Sequence, residues 1–313
     1  MGTIAYGGQA VMEGVMMQGP EGKAIACRKP NGEIVYKIDN KPSFLKRHPS
    51  LKKPVIRGVV SFVSSMVSGI QDLTWSAAQI GEEEDEQLST KDIVFAVLLA
   101  LVIAVVFFIV VPVLLGTVVR PYVGDFGRSL TEGLLRGGLF IGYVVLISRM
   151  KDIQRLFAYH GAEHKSISTY EAGEELTVEN ARKYSPIHCR CGTSFILMAM
   201  ILMIVIFTFV GQTDALHRIL IKLALMPVIA GVSYELFRLP LKFPKSLIVK
   251  ALVAPGLAMQ RLTTREPDDS QLEVALSALK AIPGFVPNTA PVKEEAQAEQ
   301  APILKTQFQN ANA

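Results

Sequence analysis

The stretch IVFAVLLALVIAVVFFIVVPVLLGTVV, residues 93–119, runs for 27 positions without a charged side chain. A helix needs about 20 apolar residues to cross the hydrocarbon core of a bilayer, where only internally satisfied backbone is tolerated. This stretch therefore predicts a transmembrane helix and sets the class of the protein. Composition agrees, since half of the 313 residues are hydrophobic and the mean hydropathy is +0.33, high for a soluble chain. The net charge of +4 is modest. The basic residues fall in blocks beside apolar runs rather than along one face, so no specific nucleic-acid partner is expected.

Residues 191–213 form a second uncharged stretch, 23 positions long. Two weaker candidates, 133–148 and 219–237, hold Arg136 in the first and Lys222, Pro227 and Glu235 in the second. They cross only if their charged ends reach the interface. Lys and Arg accumulate on the cytoplasmic side of short flanks. Nine lie in 28–57, seven in 149–190 and six in 238–265, and four spans put all three segments on one side. The expected fold is mostly α: an integral membrane helical bundle of about four spans, multi-pass, with both termini cytoplasmic. Three cysteines, Cys27 alone and Cys189 and Cys191 as a pair, form no disulfide framework and suit a reducing face. The first thirty residues show no cleavable signal pattern.

The extramembrane parts divide by pattern. Residues 1–54 read as a small N-terminal cytoplasmic β-rich segment, because Lys23 to Ile38 has two alternating arms about Pro30-Asn31-Gly32. Upstream, Gly7 to Pro20 is too glycine-rich for a helix and too irregular for an ordinary strand, and Glu13 is its one carboxylate. Residues 55–80 predict an amphipathic helix, with Ile56, Val59, Val63, Val67 and Ile70 at helical spacing. An acidic run, 82–86, reads as a solvated linker. Residues 149–190 form a cytoplasmic helical insertion, 246–282 C-terminal cytoplasmic helices with a capping box at Ser270 and Glu273, and 283–313 a disordered tail.

The insertion carries the chemistry. His160-Gly-Ala-Glu163-His164 has the H-x-x-E-H spacing of inverted zinc peptidases, which puts both imidazoles on one helix face with Glu163 beside them as a candidate catalytic base. Neutral imidazoles one turn apart suit a single metal ion, zinc by donor type. The bland alternative is a solvated helix with two ordinary histidines. His188, Cys189 and Cys191 precede the third span and offer soft ligands on the same side, or simply close a loop. Glu235 ends the fourth span there and is a further candidate ligand, with pairing to Arg238 as its competing role. Glu13, on the same side, becomes a candidate wall of the site: a buried carboxylate requires a cation or donors, whether the metal shell, His188 or an arginine.

With Tyr159 to Lys165, His188 to Phe195 and Gly7 to Met17 in view, the chain resembles the YqhQ-like family of bacterial membrane proteins over roughly residues 5 to 265. That resemblance implies a multispanning protein of the bacterial cytoplasmic (inner) membrane with metal-dependent activity. Two functions compete. One is a metal-dependent hydrolase at the cytoplasmic face, acting on lipid-linked or peptide substrates. The other is a non-enzymatic accessory or scaffold protein, whose structural His/Cys site orders a domain that docks a partner in membrane-protein biogenesis. Expected partners are the lipid bilayer and a membrane-protein or ribosome/translocon partner, to which the basic N-terminal block is suited.

Overall fold

The computed structural model describes residues 6–81, 90–209, 214–243 and 246–288. The acidic run 82–86, the end of the third expected span at 210–213 and the tail from 289 lie outside them. Four strands come first, β1 (Gly7–Val11), β2 (Gly14–Gln18), β3 (Lys23–Arg28) and β4 (Ile34–Asp39). Helices α1 (Phe44–Arg47), α2 (Ile56–Ile80) and α3 (Thr90–Val105) follow, then a π-helical stretch, Val106–Val110, and α4 (Val111–Ile147). The remainder is α5 (Lys151–Glu171), α6 (Val178–Arg182), α7 (Gly192–Thr208), α8 (Ala215–Phe237), α9 (Leu239–Lys242), α10 (Leu247–Thr263) and α11 (Asp269–Lys280). The protein is thus mostly helical with a small N-terminal antiparallel sheet, ordered β1-β2-β3-β4.

Gly7 to Gln18, irregular as sequence, is a β-hairpin closed by Met12 and Glu13, with Val11 opposite Gly14. Glu13 sits at φ 48°, a region that non-glycine residues enter at a cost. The pattern is irregular because the sheet is covered on both faces, so its strands read as apolar runs rather than alternations. Val15, Met17, Ala24 and Ala26 pack with Tyr159 and Ala162 of α5 and Leu272 and Leu276 of α11. On the other face Val11, Met16, Ile25 and Cys27 meet Leu73 and Trp75 of α2. Burial, with Glu13 nearby, pushes the Cys27 thiol up to about 12, which keeps it protonated and inert. Lys23 Nζ pairs with the buried Asp72 of α2 at 2.6 Å and so ties sheet to helix. The capping box of α11 lies at Asp268 and Gln271 rather than Ser270 and Glu273.

Two helical runs are long and apolar enough to cross a membrane, 91–147 and 215–237; α7 is a shorter apolar helix. In the first run only 6% of the most apolar window is buried, unlike the core helix of a soluble protein. This run doubles back on itself. At Gly124 the backbone turns to φ 69°, which glycine adopts without steric cost. On either side Arg128 Nη2 donates to Thr117 Oγ1 at 2.9 Å, Arg136 Nε donates to the Phe108 carbonyl at 2.6 Å, and the Phe108 and Phe140 rings are 6.3 Å apart. Partners that separate along the sequence on both sides of Gly124 define an antiparallel helical hairpin. Residues 122–131, between the first two expected spans, are therefore helical apart from that reversal. α8 starts at Ala215 rather than Ile219, because Asp214 caps it by accepting from the His217 N–H at 3.0 Å.

Candidate metal centre

The segment Tyr159 to Lys165 lies in α5, and every residue in it except the half-buried His160 is buried. Helical spacing divides its side chains between two neighbours. Tyr159 and Glu163, one turn apart, face the β1–β2 hairpin, and His160 and His164 face the segment before α7. Gly161 permits a close approach on that side, since a Cβ there would stand 2.1 Å from the Arg265 carbonyl oxygen. The Arg265 N–H also donates to the Phe157 carbonyl at 2.9 Å, so the chain after α10 lies directly on α5.

This close packing orients both imidazoles. His160 Nδ1 is 2.8 Å from the Thr263 carbonyl oxygen and His164 Nδ1 is 2.6 Å from that of Pro186. A carbonyl only accepts, so each Nδ1 carries a hydrogen, and in a neutral imidazole so held Nε2 is the nitrogen that offers a lone pair. Metal-ligating histidines are held in this way by their other ring nitrogen. Burial also drives the His164 pKa down, which favours the neutral ligand form. Cys191 completes the group: its Sγ is 3.1 Å from His160 Nε2, and one ligand atom each from His160, His164 and Cys191 lies within 4.8 Å of the others. Cys191 caps α7, with the Thr193 N–H at 3.4 Å and the Thr193 hydroxyl at 3.0 Å from the sulfur. Two borderline nitrogens and one soft sulfur form a donor set that fits zinc.

Glu163 is buried beside this group. Burial raises its carboxyl pKa, and the raising is opposed by His160, His188 and the backbone N–H of Gly8. β1 lies tightly on it, for a Cβ at Gly8 would meet Glu163 Cγ at 2.9 Å. Glu13 reaches the same helix from the hairpin turn. It accepts from Arg155 Nε at 2.6 Å and Nη2 at 2.5 Å, and from the Tyr159 hydroxyl at 3.3 Å. Its partner is Arg155, five residues before His160 on α5, and the pair clamps sheet to helix.

The other candidates stand apart from the ligand group. The His188 ring is 5.7 Å from that of His164, but its Nε2 is bound to Glu171 at 3.2 Å. Cys189 is exposed. Glu235 pairs with Arg57 of α2, accepting from Arg57 Nε at 2.7 Å, so its hydrogen-bonded cation is Arg57 rather than Arg238. Sharing one end of the bundle did not bring it to the histidines, because a nearer guanidinium met it first. Sequence reasoning missed Gln260, a fully buried amide that accepts from the His188 N–H and donates to the His188 carbonyl, both at 2.9 Å. It also missed the Thr263 and Pro186 carbonyls, which no residue type announces. A lone glutamine in the apolar face of α10 was the available signal.

A protein family described as "Protein of unknown function (DUF1385)" matches residues 53–284. The uncharacterized protein YqhQ of Bacillus subtilis (strain 168) is 34% identical over 297 residues, covering 89% of this chain and 92% of that protein. No solved structure matches.

Proposed function

The chain belongs to the DUF1385 family, and we propose that it is a four-span membrane protein with a zinc-dependent hydrolytic site at its cytoplasmic face. One observation carries the metal reading: two imidazoles with Nδ1 engaged by carbonyls converge on the Cys191 thiol. Three ligands are the number that catalytic zinc sites use, with the fourth position left for water or substrate. Because Cys189 is exposed, it does not close a four-ligand structural shell with the same three residues. Bound zinc would supply Lewis acidity toward water or a carbonyl group. Glu163 would take or return the proton from the adjoining face of α5, where the Gly8 N–H holds it.

The reversal at Gly124 supports four crossings, because it splits the longer apolar run into two antiparallel arms that α7 and α8 join. The Lys/Arg distribution supports cytoplasmic termini.

A second reading, the accessory or scaffold role with a structural metal, is favoured by how many segments the ligand group joins. Its ligands and their carbonyl partners come from α5, the chain before α7 and the end of α10.

Metal content of the purified full-length protein tests both. One zinc per chain is expected in the wild type and in Cys189→Ser, with loss in Cys191→Ser and His164→Ala. Equal loss in the two cysteine variants would point to a closed shell and the structural role, and an empty wild type would remove both readings. Glu163→Gln is expected to keep its zinc and to lose chelator-sensitive cleavage in membrane extracts. If that cleavage persists, Glu163 is not the base.

A further inference from the structure

Helix α2 turns its apolar stripe away from the protein. Its buried residues, Gly58, Gly69, Asp72 and Ser76, are small or polar. Ile56, Phe62, Val63, Met66 and Val67 are instead between 37% and 52% exposed. At 3.6 residues per turn the buried set covers about 60° of arc and the exposed set about 140° beside it. A surface helix in water faces its core with the apolar stripe. A contiguous apolar stripe on the outside marks contact with a membrane or another protein.

The stripe lies beside α8. A Cβ at Gly58 would stand 2.7 Å from the Gly231 carbonyl oxygen, and one at Gly231 would stand 2.5 Å from Val55 Cγ1. Arg57 holds Glu235 of α8, and the Phe62 ring is 5.7 Å from that of Phe195 on α7. Gly231 precedes the end of α8 at Phe237 by about 9 Å of helix rise. That is the depth, about 5–10 Å, to which interfacial helices bury their apolar face. The large exposed apolar residues of α2 stop at Val67, and farther on Leu73 and Trp75 pack against the sheet. The outward stripe is therefore confined to the half of α2 that lies on α8.

Charge selects the occupant. Residues 41–71 hold six Lys/Arg and no Asp/Glu. Lys46 pairs with Glu21 and Arg57 with Glu235, which leaves Lys41, Arg47, Lys52 and Lys53 exposed with no carboxylate partner among the described residues. Lys52 and Lys53 stand just before α2, whose first turn holds no acid. Cations at a helix N-terminus oppose its dipole, so they do not serve the helix itself. Anionic headgroups would neutralise them while their stems follow the apolar surface. A second copy packed on the same face would add cations to cations.

We propose that the first half of α2 lies in the lipid leaflet beside the end of α8, its outer stripe among the acyl chains and Lys52 and Lys53 on anionic phospholipid headgroups. This rests on α8 being a membrane span, which the experiment checks separately. Full-length Cys189→Ser protein, whose remaining Cys27 and Cys191 are buried, is spin-labelled at Val63→Cys, Val67→Cys, Ala77→Cys or Val228→Cys. It is reconstituted into vesicles of phosphatidylglycerol with phosphatidylcholine, or of phosphatidylcholine alone. Collisions with oxygen, which concentrates in lipid, are compared with collisions with a water-soluble nickel chelate. In the mixed vesicles the oxygen-to-nickel ratio at Val63 and Val67 is expected to exceed that at Ala77 by about fivefold, with Val228 on α8 at least as high. Phosphatidylcholine alone, or Lys52→Gln/Lys53→Gln, is expected to lower the Val63 ratio by about twofold. Labels at Val63 and Val67 as open to nickel as Ala77, with Val228 still in lipid, would overturn the proposal. A Val228 label open to nickel would instead overturn the membrane span on which it rests. Exclusion of both reagents from Val63, with spin–spin broadening, would put a second copy on the face in place of lipid. An unchanged ratio in phosphatidylcholine and in the double lysine variant would overturn the anionic headgroups.

Discussion

His160 Nε2 lies 3.1 Å from Cys191 Sγ, although the two residues are 31 positions apart in the chain. With His164 they make up a group whose ligand atoms lie within 4.8 Å of one another and could hold a metal ion. Cobalt(II) in place of zinc makes this visible. A near-ultraviolet sulfur-to-cobalt charge-transfer band is expected in the wild type and in Cys189→Ser, and none in Cys191→Ser. A band that follows Cys189 would assign the wrong sulfur. Metal bound at 100 times its Kd would add about 2.7 kcal/mol to stability, so chelation is expected to lower the unfolding midpoint by several degrees.

Glu13 and Arg155 form a two-point ion pair at the edge of the sheet, with side-chain exposures of 24% and 56%. Solvent screening at Arg155 limits its strength, so Glu13→Gln should cost about 1 kcal/mol. Glu13→Gly loses the same pair but removes the strain of a side chain at φ 48°, which is worth about 1 kcal/mol or more in return. Thermal unfolding should therefore find Glu13→Gly close to wild type and Glu13→Gln lower by a few degrees. Equal losses in the two would mean that the turn stores no strain.

The parts of this site visible in the sequence are those carried by local spacing. His160, Glu163 and His164 share one turn of one helix, and periodicity alone aligned them. Counting membrane sides put Glu13 in the same compartment as α5, to which it is in fact bound through Arg155, but such counting could not resolve distances of a few ångströms. It therefore suggested a common destination for Glu235, which found Arg57, 178 positions away. Arg136 and Lys222 read as ends that reach for the interface, yet both turn inward, because Glu132 and the Phe207 ring offer closer partners. The hairpin at Gly7 to Gln18 was hidden by burial on both faces, which erases alternation, and by a glutamate standing where a turn usually takes glycine or asparagine.

Sidedness is readable from two thiols. Tyr122, beside the reversal at Gly124, is 87% exposed, and Cys189 is the exposed native cysteine. The proposed four crossings would place these residues on opposite sides of the membrane. A membrane-impermeant maleimide applied to intact cells should label Tyr122→Cys in a Cys189→Ser background and leave wild-type Cys189 unlabelled. Permeabilisation should then expose Cys189. Labelling of Cys189 in intact cells would move the metal centre to the outside and remove the cytoplasmic assignment.

Two glycines in helices separate a packing requirement from a mere tolerance. Gly161 has the Arg265 carbonyl oxygen 2.1 Å from its missing Cβ, whereas Gly137 has nothing within 4 Å. Alanine at 161 must push the 263–265 segment off α5, at a cost of about 1–3 kcal/mol. That movement carries away the Thr263 carbonyl that holds His160 Nδ1, and loss of such a partner weakens metal binding by roughly 10–100-fold. Alanine at 137 meets no atom and improves helix propensity by up to about 1 kcal/mol. Gly161→Ala should thus lower both the unfolding midpoint and the zinc affinity, and Gly137→Ala neither. A Gly161→Ala protein that loses stability but binds zinc as tightly as wild type would show that His160 does not need the Thr263 carbonyl to present its Nε2.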